Sequence, residues 1–112
     1  VHQNYKNKVL KANDIATMST GKRLGHPVRS IKNPYTKEYF KLEYSNISDE
    51  ELEAYGRGSL YRAAVEGDEK TGCFLAGQIA GMVNKEQTAK EIIEEIFTQA
   101  EDVLKGATKW VK

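Results

Sequence analysis

The chain has 112 residues, with 17 Lys and Arg against 16 Asp and Glu, so its formal net charge is +1. That length suits one domain. Only 39% of the residues are apolar and no run is long enough to span a membrane, while the single cysteine, Cys73, excludes an internal disulfide and fits a reducing, cytoplasmic setting.

Residues 2–12 place Tyr5, Val9 and Ala12 on one side of a helix, and Asn13-Asp14 ends it. Residues 15–19 are rich in β-branched side chains and predict a short strand. A basic loop over 21–25 carries Lys22 and Arg23, and Pro27 admits a second strand over 28–31, so the two can pair as a hairpin. Asn33-Pro34 starts a helix, Asn as cap and Pro in the first turn, reaching about residue 46 with Tyr35, Tyr39 and Leu42 inward. Ser48 and Glu51 form a capping box, flanked by Ile47 and Leu52 as a hydrophobic staple, for a helix that stops at Gly56. Gly58-Ser59 restarts a short helix with Leu60, Ala63 and Ala64 inward, closed by Gly67. A polar turn over 68–72 leads to an apolar, extended link at 73–75 and a helical turn over 76–81.

Asn84, with Gln87 three residues on, caps the last helix. There Ala89, Ile92, Ile93, Ile96, Ala100, Val103, Leu104, Ala107 and Val111 recur at steps of three and four. Such steps keep one face apolar along a helix about 40 Å long. The pattern as a whole is α+β, mostly helical with two or three short strands. The other residues are too few and too polar to cover that apolar stripe. The chain is therefore expected to belong to a larger body, and a first residue Val1 that enters a helix directly fits a cut or processed chain.

The charge is unevenly spread: residues 1–45 carry a net +6 and residues 46–112 a net −5. A basic first half can meet an anion, or the halves can neutralise each other in the fold. His2 and His26 have no metal-ligand neighbour at usable spacing, so no metal site is expected. The acidic residues fall on helix surfaces, and no Walker loop, dinucleotide fingerprint or nucleophile elbow is present. The candidate for chemistry is Leu75-Ala76-Gly77-Gln78-Ile79-Ala80-Gly81. Small residues four apart, Ala76 with Ala80 and Gly77 with Gly81, leave a bare strip on a helix, which either a flat ligand or another backbone can approach. Gln78 is a neutral amide beside it.

A second reading is a nucleic-acid-binding module, in which Lys37 and Lys41 neutralise phosphates and Tyr35, Tyr39 and Tyr44 stack on bases. No nucleic-acid motif accompanies them, and the tyrosines suit a core face better.

His2-Gln3-Asn4-Tyr5-Lys6, then Val9-Leu10-Lys11-Ala12, Gly25-His26-Pro27-Val28-Arg29 with Lys32-Asn33, Gly58-Ser59-Leu60, Glu66-Gly67-Asp68 and Ala76-Gly77-Gln78-Ile79-Ala80-Gly81 occur in this order. Together they resemble the flavin-dependent enoyl-acyl-carrier-protein reductase II group of the nitronate monooxygenase (2-nitropropane dioxygenase-like) superfamily. The resemblance covers nearly all of the chain but only the end of the family. It implies a fragment of an FMN-binding (β/α)8 barrel protein: a last barrel helix (1–12), a small lid domain (13–83) and a helix returning to the barrel (84–112). A complete barrel needs about 250 residues, so the barrel strands, the flavin-phosphate loops and the catalytic histidine are implied to lie upstream; neither His2 nor His26 is that histidine. No catalytic residue is expected within the chain.

The resemblance further implies that Leu75, Ala76, Gly77 and Gln78 line the cofactor and substrate cleft. It implies that the parent protein uses FMN and NAD(P)H to reduce 2-enoyl thioesters in fatty acid synthesis, with nitronate oxidation by FMN and dioxygen as the sister activity. Lys22, Arg23, Arg29 and Lys32 are candidates to steer an acidic acyl carrier protein or cofactor phosphates. The isolated chain is expected to be inactive, to hold no cofactor tightly, and to self-associate or dock through its apolar helix face.

Overall fold

The computed structural model describes residues 1–112. Its centre is β2 (Val28–Ile31), which pairs antiparallel with β1 (Thr17–Thr20), Thr17 opposite Ile31 and Thr20 opposite Val28. The hairpin forms as the sequence predicts, but β1 starts two residues late. The Asn13 side chain accepts the Ile15 N–H at 3.1 Å and the Asn13 carbonyl takes the Ala16 N–H at 3.3 Å, so residues 13–16 turn before the strand begins. At the other end Gly21 has φ +86°, and a Cβ there would lie 2.5 Å from the His26 carbonyl oxygen, which only glycine permits. The free edge of β2 takes the extended link: the Ile31 N–H donates to Phe74 O at 2.8 Å and the Ala76 N–H to Arg29 O at 3.2 Å. The anticipated third strand is this single bridge, Ser30 with Leu75.

Helix α1 (Gln3–Lys11) begins on His2, whose Nδ1 accepts the Asn4 N–H at 3.0 Å. The His2 ring lies where a Cβ on Gly67 would stand, and Gly67 also has φ +64°. Tyr5 and Val9 pack on Ile31, Ala63 and Phe74, the inward face expected of them. A second cluster joins α2 (Pro34–Glu43) to α3 (Asp49–Gly56) through Tyr35, Tyr39, Leu52 and Cys73, with Leu42 and Ile47 against it. The predicted capping box forms on Ser48, and the predicted Asn33 cap proves to be a capping box as well, closed by Thr36. Asn33 does more: its Nδ2 reaches Gly72 O at 2.7 Å and Glu69 O at 3.1 Å, tying the 68–72 turn to the head of α2. Helix α2 stops at Glu43 rather than residue 46. The Arg23 guanidinium donates to the carbonyls of Glu43, Ser45 and Ile47, so the chain end that would have continued the helix is satisfied from outside.

Helix α4 (Ser59–Tyr61) runs straight into a π-turn (Arg62–Glu66). Ser59 and Ala63, one turn apart, face the core, which leaves Leu60 turned outward and 53% exposed, against the expectation that it points in. Residues 78–82 form a 3₁₀ turn (Gln78–Met82) that starts after Gly77, not the predicted helix over 76–81. The final helix, α5 (Ala89–Ala107), also starts later than predicted. Thr88 with Glu91 makes the capping box, and residues 84–88 form a strap bound to α1 and α5, Glu86 by Lys6 at 2.6 Å and Glu95 by Lys85 at 3.4 Å. A short 3₁₀ turn (Thr108–Trp110) follows.

No residue of α5 is buried. Ile92, Ile93, Ile96, Val103 and Leu104 are all exposed, and so is Phe97, which the sequence reading left out of the stripe. The radius of gyration is 18.5 Å, against about 13 Å for a compact chain of this length. The core of the other elements therefore does not cover the helix. No helix is long and apolar enough to cross a membrane.

Two outcomes test this packing. Replacing Asn33 by Ala removes a helix cap and two buried hydrogen bonds, and we expect a loss of about 2–4 kcal/mol in urea unfolding. Burial pushes the Tyr35 hydroxyl up to about 12 from its ordinary value of 10.0. The folded chain therefore holds that proton where the unfolded chain loses it, so this contribution to stability is intact below pH 10.0 and lost as pH rises to about 12. Unfolding midpoints across that window should fall less steeply in Tyr35→Phe than in the parent chain.

Candidate functional site

A shallow groove of about 380 Å³ runs beside the edge of β2, lined by Val28, Arg29, Leu75, Ala76 and Gly77. The chain enters it through the link at 73–76. Phe74 is fully buried and anchors the link in the core, while the next residue, Leu75, emerges with 38% of its surface exposed. Three hydrogen bonds fix this emergence. The Tyr5 hydroxyl donates to Leu75 O at 2.6 Å, and the flanking backbone groups bond to β2. Leu75 and Ala76 are thus held between α1 and the hairpin, an attachment sequence spacing could not reveal because Tyr5 read only as a core residue.

The two glycines of the small-residue strip differ. A Cβ on Gly81 would stand 2.7 Å from the Asn13 carbonyl carbon, so Gly81 is small because two backbones meet there. Ala80 is buried as well. Gly77 would meet nothing within 4 Å. Close packing therefore explains the second half of the strip, but nothing inside the chain calls for glycine at position 77. Gly77 and Gln78 are exposed, and the Gln78 amide has no hydrogen-bond partner within the chain.

Val28 and Leu75 are shared with a slot of about 210 Å³ that runs toward Tyr35, Tyr39 and Cys73, with His26 and Leu60 also along it. Burial pushes the Cys73 thiol up, which keeps it protonated and a poor nucleophile, in keeping with a packing residue. No three His, Cys, Asp or Glu side chains are placed to hold a metal ion. The groove contains no carboxylate, imidazole or thiol, so it can wall off and orient a ligand but offers no general acid or base.

The four candidate cations do not share one surface. Lys22 is exposed in the hairpin loop. Arg23 is held within the chain by Asp49 at 2.9 Å and by the carbonyls after α2. Arg29 borders the groove, its Nη1 donating to Thr17 Oγ1 at 3.2 Å. Lys32 lies instead in a separate cleft with Lys8 and Lys11, neither of which the sequence reading singled out.

No family model and no curated protein matches the chain. Solved structures do. FabK from Thermotoga maritima matches 99% of this chain at 35% identity with a TM-score of 0.91. A point mutant of the same protein matches 99% at 32% identity with a TM-score of 0.79. The chain spans only 35% and 32% of those two chains. The family its motifs resemble and the structures it superposes on are therefore one and the same: the chain has the sequence and fold of a fragment of the FabK (enoyl-acyl-carrier-protein reductase II) family.

Proposed function

We propose that this chain forms the lid and closing helix of an FMN- and NAD(P)H-dependent reductase of 2-enoyl thioesters, active in fatty acid synthesis. In this reading residues 1–12 are a barrel helix, residues 13–83 the lid, and residues 84–112 the return to the barrel. The observation that carries it is the open Gly77, beside an apolar rim, on a chain that matches FabK over 99% of its length. The uncovered face of α5 supports it, because a fragment spanning a third of its relative leaves such a face for the rest.

The groove fits one wall of a flavin site, not a whole one. Val28, Leu75 and Ala76 offer apolar surface, Gly77 lets a flat ring approach the backbone, and Gln78 can donate to or accept from a heteroatom. A phosphate cradle is missing from this groove, so the remainder of the site belongs to the barrel. FMN, when bound, supplies two-electron hydride chemistry between a nicotinamide and an activated double bond. The part of this chain is to exclude water with Leu75 and Val28, to bring backbone close at Gly77, and to be held over the barrel by α5. Of the cations, Lys22 and Arg29 remain available to attract an acidic acyl carrier protein, since Arg23 is engaged within the fold and Lys32 lies in the separate cleft.

The test uses the full protein that contains this chain. Gly77→Val should lower NAD(P)H-dependent reduction of a 2-enoyl thioester about tenfold, equivalent to about 1.4 kcal/mol. Because no atom of the chain lies within 4 Å of the new Cβ, the 112-residue chain carrying the same change should keep its unfolding midpoint. Undiminished turnover would remove residue 77 from the site. Anaerobic addition of NADH separates the activities: bleaching of the flavin supports the reductase, and bleaching by a nitronate alone supports the sister activity. The 112-residue chain by itself should bind no stoichiometric FMN and should self-associate; a yellow monomer would contradict both expectations.

A further inference from the structure

We propose that the cleft between α1 and the base of the hairpin is a binding site for a phosphate group. The cleft has a volume of about 420 Å³. Lys8 and Lys11, three apart on one face of α1, and Lys32, just beyond β2, all line it. Its one carboxylate, Glu69, stands 3.7 Å from the Lys8 ammonium. Lys11 and Lys32 have no acidic partner within ion-pair distance, so the cleft keeps a net charge of +2. Three like charges gathered into one concavity repel one another, and an anion between them turns that repulsion into attraction.

The neutral groups of the cleft point to the same chemistry. The Asn13 side-chain oxygen is taken by the Ile15 N–H at 3.1 Å, and the Asn7 oxygen by the Gln3 amide at 3.0 Å. Both residues line the cleft, and each has its NH2 group left to donate. The polar lining thus offers cations and amide N–H donors, both amide oxygens already accept a hydrogen bond, and the Glu69 carboxylate is the one anionic acceptor, set beside Lys8. Lys8 is partly ordered for this purpose. Its ammonium lies 5.2 Å from the centre of the Phe74 ring, and its side chain is only 19% exposed.

Shape selects a small anion over a protein surface. The Lys8 side chain is only 19% exposed, so a small anion reaches its ammonium more readily than a bulky surface does. Lysines act as point charges suited to phosphate, and no arginine fork is present to favour a planar carboxylate. None of these residues borders the groove at Gly77, so the inference stands whether or not the reductase reading does.

Phosphorus NMR of the ligand, titrated with the full 112-residue chain, tests the proposal. Two probes distinguish the source of the phosphate: inorganic phosphate, and ribose 5-phosphate as a small monoester. Saturable broadening is expected for at least one, weakening as sodium chloride is added. The double variant Lys11→Gln with Lys32→Gln should raise Kd roughly tenfold, or about 1.4 kcal/mol. A control pair, Lys37→Gln with Lys41→Gln, changes exposed lysines of α2 and should leave Kd unchanged. All four lysines are exposed, and thermal unfolding of each variant confirms that it is folded. Tighter binding of the monoester assigns the site to a phosphorylated small molecule, and equal binding to free phosphate; both support it. No saturable broadening with either probe, or equal weakening by the cleft and control pairs, overturns it.

Discussion

The architecture depends on how β2 fills both of its edges. One edge pairs with β1 over a short loop, a local contact. The other pairs with residues 74–76, more than forty positions later, and this is the contact that gives the chain a tertiary structure. Asn33 reinforces it from the adjoining position. By donating to Gly72 and Glu69 it fixes the turn just before the link, while its oxygen caps α2. A Cβ at Gly72 would meet the Ala63 backbone at 2.8 Å, so the same turn is pressed against the π-turn after α4. Helix, turn and strand edge are thus locked at one point, and the groove at Leu75 and Gly77 is simply where the locked link comes out.

Cap chemistry carried most of what was legible in the sequence. Asn33-Pro34 and the Ser48 and Glu51 pair each start a helix where expected, because a cap is satisfied within three residues and needs no distant partner. Caps misled once. Asn84 with Gln87 and Thr88 with Glu91 both fit the pattern, and the choice fell to Thr88 because Lys6 and Gln3 on α1 hold Glu86 in the strap. That tie spans some eighty residues and leaves no mark on local spacing. The same limit hid the turn of Leu60 to the outside and the short end of α2, which the distant Arg23 closes.

The site was legible unevenly for a related reason. Spacing marked residues 76–81 as small, but small residues serve close packing and ligand approach alike. Only coordinates separate Gly81, pressed on Asn13, from Gly77, which faces nothing. The flavin reading came from the order of several motifs rather than from any chemistry in the chain, which holds no catalytic group at the groove. Charge counting detected the basic first half but not its division among a loop, an internal clamp, a groove and a cleft. Lys8 and Lys11 precede Lys32 by more than twenty residues, and their convergence is a product of the hairpin folding back on α1.

Helix α5 is bound by a different constraint. Most helical stability in proteins comes from packing an amphipathic face rather than from local propensity, and this nineteen-residue helix has a capping box and the strap but no buried side chain. Complete burial of a large aliphatic or aromatic side chain is worth about 1.5–3 kcal/mol. Ile92, Ile93, Ile96, Phe97, Val103 and Leu104 are more than 40% exposed, so covering their face releases a sum comparable to the whole stability of a small domain, about 5–15 kcal/mol. Whatever surface covers that face therefore controls whether the helix is rigid. Because the strap joins α5 to α1, and α1 holds Leu75 through Tyr5, docking the helix also bears on the position of the groove. In the reading proposed above, the body that receives α5 and the body that completes the groove are the same, so assembly and formation of the site are a single event.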